Sequence, residues 1–163
     1  MSKISTILVD DEPKNNELLS IYLDKFCPSL EVVAITTTVK DAIKNINKLE
    51  PKLIFLDIVL QDGTGFDVLE GIKYENYLVV FITAFQEYAI TAFKFNAIDF
   101  LLKPIDPKDL ITTVKSVEDN ISKKLFTSAP QLESVKNSIA TKTSDYNFIA
   151  IPSTKKIDFI KID

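Results

Sequence analysis

The sequence predicts an α/β fold, a doubly wound parallel sheet of five strands that is covered by helices on both faces. Short apolar segments and helical patterns alternate regularly over about the first 124 residues. The apolar segments contain almost no polar residues, which is typical of parallel strands buried on both faces. Such sheets bind ligands at the carboxyl ends of their strands, so the residues that follow each strand are the first candidates for a functional site.

The first two strand–helix units are marked by their apolar spacing and by the residues that start each helix. A strand is predicted at Ile4–Val9, and a helix begins near Pro13, because proline is favoured in the first helical turn. The second strand is predicted at Val32–Ile35, and Thr38 is a suitable N-cap for the next helix. The residues predicted to pack on the sheet are Leu18, Leu19, Tyr22, Leu23 and Phe26 in the first helix, and Val39, Ala42, Ile43, Ile46 and Leu49 in the second.

Three further units complete the predicted sheet. The last helix is the best marked, because Asp106 can cap it, Pro107 suits its first position and Asp109 complements the helix dipole. Its apolar stripe contains Leu110, Ile111, Val114, Val117, Ile121 and Leu125. The other predicted elements are a strand at Leu53–Leu56, a short helix with Phe66, Leu69 and Ile72, a strand at Leu78–Ile82, a helix at Gln86–Phe93 and a strand at Phe100–Leu102. Three aromatic residues are expected to pack internally, with an interface role as the alternative: Tyr88, Phe93 and Phe95.

The character of the sequence changes after about residue 124. Residues 125–146 are rich in Ser, Thr and Lys and are interpreted as a linker. Two further strands are predicted at Phe148–Ile151 and Ile157–Ile162, around a turn at Pro152–Lys156. Because an isolated two-stranded hairpin is marginally stable in water, we expect residues 147–163 to open a second domain that is mostly absent from this sequence.

The composition excludes several kinds of active site. The chain has no His and no Arg, since all 19 basic residues are Lys. Without His it has neither a Ser–His–Asp or Cys–His nucleophile nor a histidine-ligated zinc ion. The absence of Arg and a net charge of −4 disfavour a DNA-binding surface. The three glycines, Gly63, Gly65 and Gly71, lie together, so no P-loop or glycine-rich dinucleotide turn is present.

The cellular setting is inferred from the cysteine content and from apolar segment length. The single cysteine, Cys27, excludes an internal disulfide and fits a reducing compartment; it is expected to be inert at a helix end. The sequence shows no signal-peptide pattern and no apolar segment of the roughly 18 residues that span a bilayer. We therefore expect a cytoplasmic protein with no membrane partner.

Charged and hydroxyl side chains lie at the ends of four predicted strands. Asp10 and Asp11 follow the first strand, Asp57 the third, Thr83 the fourth and Lys103 the fifth. Each alone is well explained as a cap, a strand end or a turn residue, but in a parallel sheet they converge on one pocket. Three carboxylates repel one another unless a cation joins them, and such oxygen ligands suit Mg²⁺. A carboxylate there could accept a phosphoryl group, with the lysine and the hydroxyl stabilising its oxygens.

The motifs around these residues resemble a known family, the receiver domain of two-component response regulators. The resemblance covers about residues 3–124, so residues 1–124 are predicted to form a receiver (CheY-like) domain with a flavodoxin-like sheet of order 2-1-3-4-5. Gln61 departs from the pattern, because many receivers have Pro there. The matching motifs are Val9-Asp10-Asp11-Glu12, Phe55-Leu56-Asp57-Ile58, Phe81-Ile82-Thr83-Ala84 and Leu102-Lys103-Pro104.

The resemblance implies a role for each site residue. Asp57 is the implied phosphoacceptor, Thr83 contacts the phosphoryl group, and Lys103 pairs with it. The bond between Lys103 and Pro104 is expected to be cis, and Phe100 falls on the position of the family's switch aromatic. The implied ligands of a Mg²⁺ cofactor are Asp11 directly, Asp10 mainly through water, Asp57, and the backbone carbonyl of Val59.

One subfamily matches further segments. Ala84-Phe85-Gln86-Glu87-Tyr88-Ala89, Ala92-Phe93 and Ala97-Ile98-Asp99-Phe100 resemble receivers joined to LytTR-type DNA-binding domains. Residues 148–162 are similar to the opening strands of that output domain. The resemblance therefore implies a transcription regulator whose DNA recognition lies past Asp163.

The implied function is a phosphorylation switch and not an enzyme acting on other molecules. Because the chain has no His, a sensor histidine kinase must supply the phosphoryl group. Members of this family commonly form homodimers through a face built from helix 4, strand 5 and helix 5. The alternative is a stand-alone receiver that acts through protein contacts or as a relay intermediate. A haloacid-dehalogenase-type phosphatase, faintly suggested by Asp62-Gly63-Thr64-Gly65, is disfavoured because Val59 stands where that chemistry needs a second Asp.

Overall fold

A computed structural model describes residues 2–124, together with the backbone of Phe148–Pro152 and Ile157–Lys161. Five parallel strands form the central sheet, in the order β2-β1-β3-β4-β5. The strands are β1 (Ile4–Val9), β2 (Leu30–Thr36), β3 (Leu53–Leu56), β4 (Leu78–Thr83) and β5 (Asp99–Leu102). The predicted fold class and strand order are confirmed.

Three of the helices begin where the sequence signals at Pro13, Thr38 and Asp106 place them. The Thr38 hydroxyl accepts a hydrogen bond from the backbone N–H of Asp41 at 3.1 Å, and the Asp106 carboxylate accepts one from Lys108 at 2.8 Å. Both predicted N-caps are thus confirmed, and each satisfies a backbone donor that the helix cannot pair. The helices are α1 (Pro13–Phe26), α2 (Val39–Leu49), α3 (Gly65–Glu70), α4 (Ala89–Lys94) and α5 (Pro107–Ser122).

The sheet separates two apolar clusters, because side chains alternate between its faces along each strand. Helices α2, α3 and α4 cover one face, and α1 and α5 cover the other. In β1, for example, Ile7 and Val9 pack toward α2–α4 and Leu8 packs toward α1 and α5. Every residue of β3 and β4 is buried, as expected for central parallel strands.

Two helix residues predicted to pack on the sheet are exposed instead. Leu18 is 44% exposed because it is rotated by about 100° from the buried Leu19 on α1. Leu49 is the last residue of α2 and is also exposed. Cys27 lies buried at the C-cap of α1, as expected.

The region around α4 also differs from the prediction. The helix expected at Gln86–Phe93 is a 3₁₀ turn at Gln86–Tyr88 that leads into α4. Phe93 is 56% exposed, because its neighbour Ala92 is the α4 residue that is buried against the core. The prediction that Phe93 packs internally was therefore wrong, whereas Phe95 is buried as predicted.

The C-terminal part of the chain contains the predicted hairpin. Its strands, Phe148–Pro152 and Ile157–Lys161, are antiparallel, with Ala150 opposite Phe159. The predicted linker at 125–146 and the turn at 153–156 lie outside the described residues, as do Leu125 and Ile162. None of the helices described here combines the length and the apolar character needed to cross a bilayer.

Candidate functional site

The carboxyl ends of the strands bring the predicted site residues to one edge of the sheet. Backbone hydrogen bonds continue past the strand ends and hold these residues in place. The N–H of Asp10 donates to the last carbonyl of β2 at 3.2 Å, and the N–H of Asp57 donates to the last carbonyl of β1 at 2.9 Å. The N–H of Lys103 donates to the carbonyl of Thr83, the last residue of β4, at 2.9 Å. The site is therefore built on the ordered edge of the sheet.

Three carboxylates form an acidic cluster at this edge. Asp10, Asp11 and Asp57 each offer an oxygen, and these oxygens lie within 4.8 Å of one another. Asp10 and Asp57 are buried and Asp11 is partly exposed. Burial, and then the charges of Asp10 and Asp57, raise the pKa of Asp11 above its ordinary value. A cluster of oxygen donors with this excess negative charge fits a hard divalent cation such as Mg²⁺.

Lys103 is the cation that joins this cluster in the structure. Its ammonium donates to Asp10 at 2.5 Å and to Asp57 at 2.8 Å. Burial acts to lower the pKa of Lys103, but the hydrogen bonds and charges of the two carboxylates outweigh it and raise that pKa. Lys103 is followed by a cis peptide bond to Pro104, as the resemblance implies.

The Asp57 carboxylate is held at both oxygens. One oxygen accepts the backbone N–H of Ile58 at 2.7 Å and lies 3.4 Å from the backbone nitrogen of Val59. The other accepts the ammonium of Lys103. Beside the carboxylate opens a cavity of about 310 Å³, whose apolar walls include Leu18 and Ile105. The carboxylate is thus oriented in advance by contacts to both of its oxygens.

Thr83 contributes the one buried side-chain polar atom that lacks a hydrogen-bond partner among the described residues. Its side chain is fully buried at the end of β4. Leaving a buried hydroxyl unpaired costs about 1–3 kcal/mol, so the structure carries an unused donor and acceptor at this edge of the sheet. A phosphoryl oxygen bound to Asp57 is a group that such a hydroxyl could pair with.

Phe100 lies on the strand next to Thr83. It is opposite Phe81 in the β4–β5 register, and it packs partly buried against the α2–α4 cluster. Because residues two apart share a face of a strand, Thr83 faces the same side of the sheet as Phe81. The predicted hydroxyl and the predicted aromatic switch residue therefore share one face, toward α4.

The loop after Asp57 is a short antiparallel ribbon that pairs Val59–Leu60 with Gly63–Thr64. The N–H of Gly65 donates to the carbonyl of Ile58 at 2.7 Å and closes the ribbon. A Cβ atom at Gly65 would clash with the backbone carbonyl of Asp57. Glycine is therefore needed here so that α3 can begin against the Asp57 backbone.

Asp62, at the tip of this ribbon, binds the start of α2. Its two carboxylate oxygens accept the backbone N–H of Val39 at 2.8 Å and of Lys40 at 3.3 Å. Hydrogen bonds from Val39 first, and also from Lys40, hold the pKa of Asp62 below its ordinary value. The segment that faintly suggested a phosphatase motif therefore serves as a helix cap.

Sequence reasoning missed Asn16. It is buried on α1, and its amide donates to the backbone carbonyl of Asp10 at 2.9 Å. The available signal was its spacing, because Asn16 lies three and seven residues before Leu19 and Leu23 and thus on the buried face of α1. A polar residue at a buried helical position is informative because it needs a partner.

Comparisons with known proteins agree with this geometry. The sequence model of the response regulator receiver domain matches residues 6–115. The chain is 28% identical over 162 residues to the sensory transduction protein LytT of Bacillus anthracis, covering 98% of this chain and 63% of LytT. It is 35% identical over 129 residues to the transcriptional regulatory protein BtsR of Escherichia coli, covering 78% of this chain and 54% of BtsR.

A solved structure agrees as well. The response regulatory domain of protein mrkE from Klebsiella pneumoniae has a TM-score of 0.68 and 26% identity, over 74% of this chain and 99% of that domain. The chain spans about half the length of most of the curated relatives it matches. The family match includes all the residues of the acidic edge, from Asp10 to Lys103, and four of the five strands of the sheet in full. The chain therefore belongs to the response regulator receiver domain family of two-component signalling.

Proposed function

We propose that the chain accepts a phosphoryl group on Asp57 and works as a phosphorylation switch. One observation carries the proposal: the oriented Asp57 carboxylate lies at the edge of the sheet that also holds a bound ammonium, from Lys103, and the unpaired hydroxyl of Thr83. These are the parts that phosphoryl transfer requires, namely a fixed nucleophile and groups that stabilise negative charge. The switch modifies itself and is not an enzyme toward other substrates.

The phosphoryl donor is proposed to be a phosphohistidine of a sensor kinase, because this chain has no His. An oxygen of Asp57 attacks phosphorus as the bond from phosphorus to the imidazole nitrogen breaks, and the imidazole leaves with that electron pair. Lys103 then donates to a phosphoryl oxygen, and the Thr83 hydroxyl moves to donate to another.

The metal ligands are proposed to be Asp10, Asp11, Asp57 and the backbone carbonyl of Val59. Their oxygen donors and the raised pKa of Asp11 fit Mg²⁺. When bound, Mg²⁺ would neutralise charge on the phosphoryl oxygens. Asp10 and Asp57 each place one oxygen on Lys103, so Lys103 would share these carboxylates with the metal.

The output of the switch is proposed to be dimerisation through the face formed by α4, β5 and α5. Movement of Thr83 leaves space for Phe100 to turn inward, which repacks this face. Ile90, Phe93 and Leu102 are large apolar residues exposed on it. An exposed apolar group of this kind supports an interface between two copies of the chain.

The regulated process is proposed to be transcription in the cytoplasm, through a LytTR-type DNA-binding domain that begins at the hairpin. The alignment with LytT supports this, because it extends through 98% of the chain and so includes the hairpin strands. The name of BtsR, a transcriptional regulatory protein, supports it as well. A receiver that acts only through protein contacts is the alternative, and protection of DNA by the full-length protein would distinguish the two.

The proposal is tested by labelling with acetyl phosphate and Mg²⁺, followed by intact-mass measurement. The wild type should gain one phosphoryl group and Asp57→Asn should gain none. Asp109→Asn, which changes a carboxylate of α5 away from the cluster, should be labelled like the wild type. Labelling of Asp57→Asn would show that the acceptor lies elsewhere and overturn the proposal.

Dimerisation is tested separately by sizing the protein with and without beryllofluoride, a phosphoryl mimic. The mimic should convert the wild type to a dimer, whereas Phe93→Glu should remain a monomer because it places a charge on the proposed face. A wild type that stays monomeric with the mimic bound would contradict the proposed output but not phosphorylation.

A further inference from the structure

A buried amide lies directly behind the acidic cluster. Asn16 is 3% exposed and sits in the first turns of α1, on the same face as the apolar residues Leu19 and Leu23. An amide at such a position costs free energy unless it is hydrogen-bonded, whereas an apolar side chain would not. The presence of Asn16 at this position is therefore explained by the groups that it binds.

Those groups are backbone carbonyls at the ends of two strands. The Asn16 amide donates to the carbonyl of Asp10 at 2.9 Å and reaches the carbonyl of Thr36 at 3.5 Å. The N–H of Asp10 itself donates to the Thr36 carbonyl at 3.2 Å. The Asn16 side chain thus links the chain segments at the ends of β1 and β2, where a backbone N–H would otherwise have to serve as the donor.

The carbonyl that Asn16 holds belongs to the peptide between Asp10 and Asp11. Rotation of this peptide would turn both carboxylates relative to Asp57. Asp10 has other restraints, because one of its carboxylate oxygens accepts the N–H of Glu12 at 2.9 Å and the other accepts Lys103. The oxygens of Asp10, Asp11 and Asp57 lie within 4.8 Å of one another, so their like charges repel and the backbone before Asp11 must be held to keep its carboxylate in the cluster.

We propose that Asn16 is a positioning residue that fixes the peptide between Asp10 and Asp11 and thereby holds the acidic cluster in a shape ready to bind Mg²⁺. The inference rests on the proposed role of the cluster as a metal site. Residues that hydrogen-bond to metal ligands without contacting the metal typically weaken metal binding about 10–100-fold when they are mutated. Asn16 does not touch the metal or the phosphoryl group in this scheme.

Asn47 provides a matched control. Its amide also donates to a backbone carbonyl at 2.9 Å, that of Gly71, but it joins α2 to the end of α3, away from the cluster. Asn16→Leu and Asn47→Leu each replace an amide by an apolar side chain of similar volume. Asn16→Ser is a milder variant that leaves room for water and preserves the test if Asn16→Leu folds poorly.

The experiment measures Mg²⁺ affinity by calorimetry and, in the metal-free protein, amide hydrogen exchange at Asp11 and Glu12. Asn16→Leu and Asn16→Ser should weaken Mg²⁺ binding about tenfold or more and speed exchange at Asp11. Asn47→Leu should change neither the Mg²⁺ affinity nor the exchange at Asp11, even if it lowers the free energy of unfolding as much as the Asn16 variants do. The inference would be overturned if both Asn16 variants bound Mg²⁺ and exchanged the Asp11 amide hydrogen as the wild type does.

Labelling with acetyl phosphate separates this inference from the proposed function. If Asp57 is labelled in the wild type and the Asn16 variants bind Mg²⁺ normally, only the role of Asn16 fails. If the Asn16 variants lose Mg²⁺ affinity but Asp57 is never labelled, the positioning role stands and the proposed phosphoacceptor fails.

Discussion

Lys103 and Asp57 lie 46 residues apart in the sequence and form a 2.8 Å ion pair at the edge of the sheet. The same ammonium also binds Asp10, so one lysine bridges two of the three clustered carboxylates. Its positive charge offsets the repulsion that these carboxylates exert on one another. It also binds oxygen atoms of the proposed metal ligands, so we expect the lysine and a bound metal ion to compete for the cluster.

Replacing Lys103 should therefore raise Mg²⁺ affinity. Lys103→Met removes a positive charge that repels the metal and frees oxygens of Asp10 and Asp57, so calorimetry should show binding several-fold tighter than in the wild type. Without Mg²⁺, the uncompensated carboxylates should lower the free energy of unfolding by on the order of 3 kcal/mol. Lys123→Met, which removes only an exposed ion pair with Asp119, should leave both quantities nearly unchanged. Weaker Mg²⁺ binding by Lys103→Met would contradict the competition.

Asp11→Asn should stabilise the metal-free protein at neutral pH. The folded-state pKa of Asp11 is raised, so its ionised form is less favourable in the folded chain than in the unfolded chain. Ionised Asp11 therefore lowers the free energy of unfolding. This effect is absent below the pKa that Asp11 has in the unfolded chain, develops as pH rises from that pKa to the higher pKa of the folded chain, and persists above it. Denaturant unfolding at a series of pH values should show the advantage of Asp11→Asn appearing over that interval. The prediction would be wrong if the higher free energy of unfolding of Asp11→Asn were instead lost as pH rises.

Thr83→Val should not destabilise the protein, although Thr83 is completely buried. The substitution removes a hydroxyl that has no partner among the described residues, so the free energy of unfolding should stay equal or rise by about 1 kcal/mol. Thr113→Val is the control, because the equally buried Thr113 hydroxyl donates to Asp99 at 2.6 Å and its loss should cost about 1–3 kcal/mol. Equal losses in the two variants would mean that the Thr83 hydroxyl is bonded in solution.

The phosphoryl group that we propose for Asp57 should be lost slowly. Val59 follows Asp57 by two residues and Phe85 follows Thr83 by two, and neither of these apolar side chains can orient an attacking water molecule. Val59 is 38% exposed and follows Asp57 by two residues, so Val59→Asn should place an amide where it can orient water and speed dephosphorylation roughly tenfold or more. Val33→Asn changes a valine of the same exposure on β2 and should leave the rate unchanged. Decay of the phosphoprotein is followed by intact mass, and rapid loss from the wild type would refute the prediction.

Local signals were sufficient for most of the secondary structure. Leu53–Leu56 is a strand with the predicted bounds, and Thr38 and Asp106 cap the helices they were expected to cap. These features depend on apolar periodicity and on side chains that bond to backbone groups a few residues away. Leu18 and Phe93 were misassigned because the pattern does not say which helical face meets the sheet.

The strand pattern was enough to predict that four of the site residues meet, because a parallel sheet sends every strand end to one edge and each of these residues follows or ends a strand: Asp10, Asp57, Thr83 and Lys103. Their pairing became visible only in the packed fold. The bridge from Lys103, the unpaired hydroxyl of Thr83 and the bond from Asn16 to the Asp10 backbone all join separate elements. Such contacts depend on distances of a few ångström between packed elements, and sequence spacing carries no information on that scale.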